Sequence, residues 1–315
     1  MISLKSKELE KISTLILYKN KYISYSKKKN DLLFFELLKN NSKSFSNQIV
    51  SFHTSQKNIN YIQELKNSNL LTSSSDKTIK IFSIDFNKKD IDTLIGIIQI
   101  PKTLIKVVET PNLLISLLNN NKLQEPIAFI YNNNNKNKNY QPIKKLFEKT
   151  NASDILYIKN DKFGLEENIE EFVVSFPKEE TLSFYDIGKD YKNKIIKNIK
   201  CSKKKNSMEV YKNLLIIGGQ KIFYFIDLYT KNIILKNNVT TVVYSLIIIN
   251  DLIFTAAQNG NFHIYQITNE NKLEKITQKN LKTNNNIIKY LIYNETNKLI
   301  YVYYLPILEI LKINV

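Results

Sequence analysis

The chain has 315 residues, with 46 Lys and Arg against 29 Asp and Glu, and a formal charge of +17. Its 43% apolar content is enough for a sizeable core. The single cysteine, Cys201, excludes an internal disulfide and a thiolate zinc cluster, and no uncharged apolar run approaches the roughly 18–20 residues that span a bilayer.

Residues 1–11, MISLKSKELEK, are polar and charged and do not resemble a signal peptide. A soluble intracellular protein, nuclear or cytoplasmic, is therefore expected, with no membrane contact. Gly and Pro are scarce, at six each. Asn runs such as 132–135 read as codon bias that enlarges loops without changing the fold. The basic balance favours attraction to polyanions, RNA first, or is a solvated lysine surface in a biased proteome; both readings stay open.

In chain order, apolar strands alternate with polar turns from end to end. Residues 12–52 hold KYISYSKKKNDLLFFEL, two paired strands. Residues 53–100 hold LTSSSDKTIKIF at 71–82, where small residues lead into a turn at Asp76 and Lys77 and then into strict alternation ending at Phe82. Residues 101–150 carry PNLLISLLNN and IAFIY, and residues 151–200 carry EFVVSFPKEETLSFYDI. Residues 201–238 carry NLLIIGGQKIFYFIDL. Residues 239–280 repeat the second pattern as FTAAQNGNFHIY at 254–265, with an Asn259-Gly260 turn, the strongest short hairpin signal. Residues 281–315 close the series with IIKYLIYNETNKLIYVYYLPILEILKI. The strand ends Phe35, Phe82, Tyr131, Tyr185, Ile226, Tyr265 and about Leu311 recur at a mean spacing of about 46 residues, close to the ~40–45 of a propeller blade.

Residues 53–82 resemble the WD repeat. His53 stands 29 residues before Phe82, in the place of the repeat's Gly-His pair, with Phe52 for the Gly and Phe82 for the terminal Trp. The resemblance implies a buried hydrogen-bonded set of His53, Ser74 (or Ser75), Asp76 and Phe82 that locks the blade, without an indole N–H, since the chain has no Trp. It further implies an all-β, seven-bladed WD40-type propeller in one domain. The seven segments above are the blades, and residues 2–9 supply the missing strand of the last one. Joining first and last segments closes the ring and removes exposed edges.

Catalysis needs a positioned base beside an acid or nucleophile, and there are two histidines. His53 has the structural role just given, and His263 reads as a surface or side-wall residue of its strand. Cys201 beside Lys203, Lys204 and Lys205 reads as a small apolar residue near a loop. Gly218-Gly219 is a lone pair, not a phosphate loop. The carboxylates Glu166, Glu167, Glu170 and Glu171 read as a solvated acidic loop or partner-facing patch. No catalytic residue, metal, cofactor or small-molecule substrate is expected. The positive signals are the basic clusters Lys27, Lys28, Lys29 and Lys203, Lys204, Lys205, with Lys144-Lys145, which supply charge without base readout.

Within WD-repeat proteins, about half of the chain resembles the non-catalytic subunit of tRNA (guanine-N7)-methyltransferase. The resemblance lies in Ser75-Asp76-Lys77, the strand from Phe82 to Asp85, the turn Pro101-Lys102, and the charged turn of PKEET at 177–181. The family's Arg-Pro is replaced by Thr103-Leu104, and the histidine and first aspartate of its charged turn are absent. The resemblance implies a scaffold that binds a methyltransferase catalytic subunit through Lys178, Glu179 and Glu180, with tRNA contact through Lys27, Lys28, Lys29, Lys203, Lys204 and Lys205. The alternative is a protein-only WD scaffold of a chromatin, kinetochore or nuclear-transport complex.

Overall fold

The computed structural model describes residues 2–4, 12–18, 21–26, 31–35, 50–53, 58–87, 92–100, 104–110, 113–118, 128–132, 142–145, 152–159, 170–176, 178–186, 194–201, 205–257, 261–268, 273–280, 290–294, 299–304 and 307–312. Among these residues every regular element is a β-strand, 26 in all. Four sheets follow chain order. Outside them, β1 (Ile2–Leu4) lies beside strands from the other end of the chain, described below. The strands β2 (Ile12–Tyr18), β3 (Lys21–Ser26), β4 (Asp31–Phe35) and β5 (Val50–His53) form a four-stranded meander. So do β6 (Ile59–Glu64), β7 (Asn69–Ser74), β8 (Thr78–Ile84) and β9 (Asp92–Gln99). A third meander joins β10 (Leu104–Glu109), β11 (Leu113–Leu118), β12 (Ala128–Asn132) and β13 (Pro142–Lys145). Another joins β14 (Asp154–Lys159), β15 (Glu170–Phe176), β16 (Thr181–Asp186) and β17 (Lys194–Lys200).

The next sheet has six strands: β18 (Lys205–Tyr211), β19 (Leu214–Asp227), β20 (Ile233–Ile249), β21 (Leu252–Ala257), β22 (Asn261–Ile267) and β23 (Leu273–Asn280). The sequence reading ends one segment at residue 238 and opens the next at 239. Here β20 runs unbroken through that point. Its first part, up to Val242 with a register shift after Asn238, pairs with β19, and its second part, from Val243, pairs with β21. The stretch VTTVVYS at 239–245 is rich in β-branched residues and holds no Gly or Pro, so nothing in it stops a strand. The last sheet contains β24 (Tyr290–Asn294), β25 (Leu299–Tyr304), β26 (Ile307–Lys312) and β1, in the order β1-β26-β25-β24. The pairs Ile2↔Ile310, Ser3↔Glu309 and Leu4↔Leu308 join the first strand to the last, antiparallel.

The turns economise on glycine. Ser68, Lys77, Glu180, Lys212, Lys221, Lys231 and Asn250 all have φ between 52° and 66°, the left-handed region. Such a residue costs about 1 kcal/mol without compensation. At the β7–β8 turn the compensation is visible. The Asp76 carboxylate accepts from Thr78 N at 2.9 Å and Thr78 Oγ1 at 2.7 Å, and Ser74 Oγ accepts from Asp76 N at 3.2 Å.

The chain divides into two compact units, Met1–Leu146 with Ile292–Val315, and Phe147–Leu291. In the first, neighbouring residues of one sheet feed two separate cores. Leu70, Phe82 and Ile84 pack with Ile23, Leu32 and Ile59, whereas Leu71, Ile79 and Ile81 pack with Leu104, Val107 and Leu114. The second unit repeats this. Leu215, Ile217, Tyr224 and Ile226 pack with Val173, Phe184 and Cys201, and Leu214, Ile216, Phe223 and Phe225 pack with Val243, Leu246 and Tyr265. A sheet covered on both faces needs continuous apolar runs rather than alternation, which accounts for stretches such as LLII.

Candidate functional site

Lys178, Glu179 and Glu180 form the turn between β15 and β16, with Lys178 and Glu179 exposed. Glu180 takes φ 53°, and its carbonyl accepts from Cys201 N at 2.7 Å. That bond fixes the turn to the end of β17, so the two charges are presented from a rigid base. Glu179 also acts inward. Burial raises the Tyr185 phenol above its ordinary range, a hydrogen bond with Ser183 opposes this, and the Glu179 charge adds to the rise.

At the other end of the β15–β16 hairpin, where Glu171 faces Asp186, lies an ion pair that sequence reasoning missed. Glu171, read as part of a solvated acidic loop or partner-facing patch, is instead buried on β15. Its carboxylate accepts from the Lys231 ammonium at 2.5 Å. Lys231 also donates to the Leu228 carbonyl at 2.6 Å and lies 5.0 Å from the centre of the Phe184 ring. The turn that carries Lys231 is built by Asp227. Its carboxylate accepts from Thr230 N at 2.7 Å, Tyr229 N at 3.1 Å and Asn213 Nδ2 at 3.0 Å. These bonds, Thr230 N foremost, hold the Asp227 carboxyl below the usual carboxylate range. The partners are 60 residues apart, and neither has a local signal.

The set expected to lock the second sheet is placed differently. Ser74 and Phe82 are buried, Phe82 within the core shared with Ile23 and Leu32. Asp76 is not: it is exposed, and its carboxylate caps its own turn through Thr78. A short carboxylate two residues before Thr78 reaches the local N–H more readily than a histidine on another strand. His53 ends β5, its backbone opposite Asp31, and its side chain lies outside the described residues.

His263, read as a surface or side-wall residue of its strand, is fully buried on β22. On β22 the adjacent Phe262 and His263 are both buried, as are Tyr265 and Ile267, while Gln266 is exposed. Its Nε2 lies 3.5 Å from Thr241 Oγ1, its Nδ1 has no hydrogen-bond partner, and its ring stacks on Tyr265 with centroids 6.0 Å apart. Burial, aided by the Lys275 charge, lowers its pKa to about 4. The imidazole is neutral at pH 7.

Lys27, Lys28, Lys29, Lys203 and Lys204 lie outside the described residues. Lys205 opens β18 with its backbone opposite Gly219, its side chain also undescribed, and the same holds for Lys144 and Lys145 on β13. Cys201 is buried among Ile199 and Met208. Among the described residues no group of three or more His, Cys, Asp or Glu side chains is arranged to hold a metal ion. No helix among them is long and apolar enough to cross a membrane.

No known protein family and no curated protein matches the chain. Solved structures do match it. The crystal structure of Sqt1 from Saccharomyces cerevisiae is 10% identical, with 99% of this chain and 98% of that one covered at a TM-score of 0.62. A chain of the crystal structure of a mitotic checkpoint complex is 11% identical, with 98% and 91% covered at a TM-score of 0.70. At such identity the likeness shows the fold, a β-propeller of the WD40 kind.

Proposed function

We propose that this chain is a non-catalytic scaffold subunit that binds and stabilises a partner protein in a macromolecular complex. In this reading it is a single propeller of seven blades, divided near residues 52, 100, 150, 200, 238 and 280, with β1 completing the last blade. The pairing of β1 with β26 supports the closure. The chemistry that an enzyme would need is poorly served: Cys201 and His263 are both buried, and the His263 ring, 3.5 Å from Thr241 Oγ1 and stacked on Tyr265, is closed off from a substrate.

The observation that carries the reading is the turn of Lys178, Glu179 and Glu180, two exposed opposite charges on a base tied down by the Cys201 bond. Mixed charges on a rigid base suit a complementary partner patch, where they fix register and speed association more than they add affinity. The partner we assign is the catalytic subunit of a tRNA (guanine-N7)-methyltransferase. The clusters Lys27, Lys28, Lys29 and Lys203, Lys204, Lys205 would then meet tRNA phosphates, which the +17 charge favours.

The test is co-purification from native extract of the K178E/E179K double variant. Loss of a methyltransferase-like subunit while the variant still melts cooperatively supports the reading. Retention of every partner at physiological salt places the contact elsewhere. Neutralising each lysine set should flatten the salt dependence of tRNA binding by the complex. An unchanged slope returns the reading to a protein-only scaffold.

A further inference from the structure

A register break recurs, in three meanders where the third strand meets the fourth and twice in the six-stranded sheet, between β19 and β20 and between β22 and β23. The pairing runs Ile81↔Gly96 and then Phe82↔Leu94, leaving Ile95 unopposed. It runs Ile130↔Lys144 and then Tyr131↔Pro142, leaving Ile143. Phe184↔Lys197 and Tyr185↔Ile195 leave Ile196. Phe225↔Leu235 and Ile226↔Ile233 leave Ile234, and Ile264↔Thr277 and Tyr265↔Lys275 leave Ile276. Each is a β-bulge, and each unopposed residue is isoleucine, facing a recurring strand-end position of the sequence. A bulge twists its strand and re-aims the extra side chain. Ile95 shows the inward outcome, packing half-buried against the Leu71 and Ile98 core.

In the second unit the outcome is outward. Ile196 is 41% exposed, Ile234 46% and Ile276 52%, with Ile195 at 43% and Tyr229 at 53% beside them. Their strands are tied together. The Lys197 ammonium donates to the Thr230 carbonyl at 3.2 Å and to Asn232 Oδ1 at 2.6 Å, joining β17 to the turn that leads into β20. Asn237 Nδ2 donates to the Leu273 carbonyl at 3.3 Å, joining β20 to the start of β23. We take the isoleucines of these three linked strands as one row, with exposed Lys236 and Lys275 on the same strands and Glu274 the one exposed acid among their described residues.

We propose that this row docks an acidic segment of a protein partner that carries apolar side chains. Exposed β-branched apolar residues gain by leaving water, and the flanking lysines select a segment bearing carboxylates. The bulges decide the mode of binding. A strand edge broken in register is a poor template for strand addition, so the segment binds through side chains. RNA would use the lysines but gain nothing from isoleucine, because bases stack on aromatics and the row offers Tyr229 alone among its exposed members. A second copy of the chain across a twofold axis would set lysine against lysine. The inference rests on the scaffold reading, but it concerns a surface separate from the turn at 178–180.

A phage-displayed library of random peptides, panned on the full chain, tests it. Selected peptides should combine Asp or Glu with Leu, Ile or Phe. Their affinity, read by fluorescence anisotropy, should fall at least tenfold in the I196S/I276S variant and lose most of its salt dependence in K236E/K275E. Both variants change exposed side chains and should melt as the parent does. The K178E/E179K chain should bind the same peptides unchanged, which separates this proposal from the methyltransferase contact. Peptides lacking acids, binding indifferent to I196S/I276S, or no selection above bare support each overturn it. So does a dimer in sedimentation that I196S/I276S dissolves, or tighter binding of a single-stranded RNA than of any peptide.

Discussion

The Lys231 ammonium meets the Glu171 carboxylate at 2.5 Å with both side chains withdrawn from water. Two charges taken out of water repay their desolvation only while they keep each other. Either single substitution, Lys231→Met or Glu171→Gln, should lower the free energy of urea unfolding by about 3–5 kcal/mol. The K231M/E171L double variant should recover much of that loss. If the double variant is as unstable as the sum of the singles, the two groups do not act as a pair.

His263 should make stability fall in mild acid. Its folded pKa of about 4 lies below the ordinary value of 6.5, so between these values the unfolded chain takes up a proton that the folded chain refuses. The contribution is fully present above about pH 6.5 and is lost as pH falls toward 4, by at most about 3 kcal/mol at 1.36 kcal/mol per unit. Replacing His263 with Phe should remove this part of the pH dependence. The check is the difference in unfolding free energy between pH 7 and pH 4.5, parent against variant. Equal differences would mean that the ring is solvated when protonated.

Gly218 is required by close packing rather than by a turn. A Cβ there would meet Val243 Cγ1 at 2.6 Å, Val243 Cβ at 3.0 Å and Leu246 Cδ2 at 3.2 Å. Valine is short and stiff at χ1, so it cannot swing clear. Gly218→Ala should cost about 1–3 kcal/mol, and adding Val243→Ala should restore part of it despite the smaller core. Thermal melts of the single and double variants settle the sign of the coupling.

Asp76 has a smaller role than its motif position implies. It is exposed and holds only its own turn, through Thr78. Asp76→Ala should therefore shift unfolding by about 0.5 kcal/mol, well below the cost of leaving a buried partner unsatisfied. A loss of several kcal/mol would restore the buried set expected from the sequence.

The strands were readable because each carries its own apolar run and its own turn. The Asp76-Lys77 turn is found from a small-residue stretch followed by alternation. What escaped depends on neighbours distant in sequence. Period-two alternation tells inside from outside only where burial itself alternates, and on β22 the adjacent Phe262 and His263 are both buried, so it does not place His263. Glu171 looked solvated beside Glu166, Glu167 and Glu170 because its cation comes from a turn 60 residues onward. The bulged isoleucines are visible as apolar residues that break alternation, as in Ile195-Ile196 and Ile233-Ile234. Their exposure follows from a one-residue slip against the preceding strand, which composition does not encode.

The last prediction concerns β1. Three residues, Ile2, Ser3 and Leu4, cover the edge of β26 opposite Ile310, Glu309 and Leu308. Without them β26 presents a row of unpaired backbone groups along ILEILK, a β-prone segment with one acid and one base. Deleting residues 1–10 should lower the melting temperature and raise light scattering at concentrations where the parent stays clear. The two readouts separate two causes. Lost burial alone would lower the melting temperature without scattering, whereas an uncovered edge recruits other chains and scatters in proportion to concentration. Substituting Leu308 and Ile310 with Lys in the deleted chain should then suppress the scattering without restoring the melt, since a charged edge resists pairing but gains no partner. A deleted chain that melts and scatters as the parent does would mean that β1 closes nothing that matters to the fold.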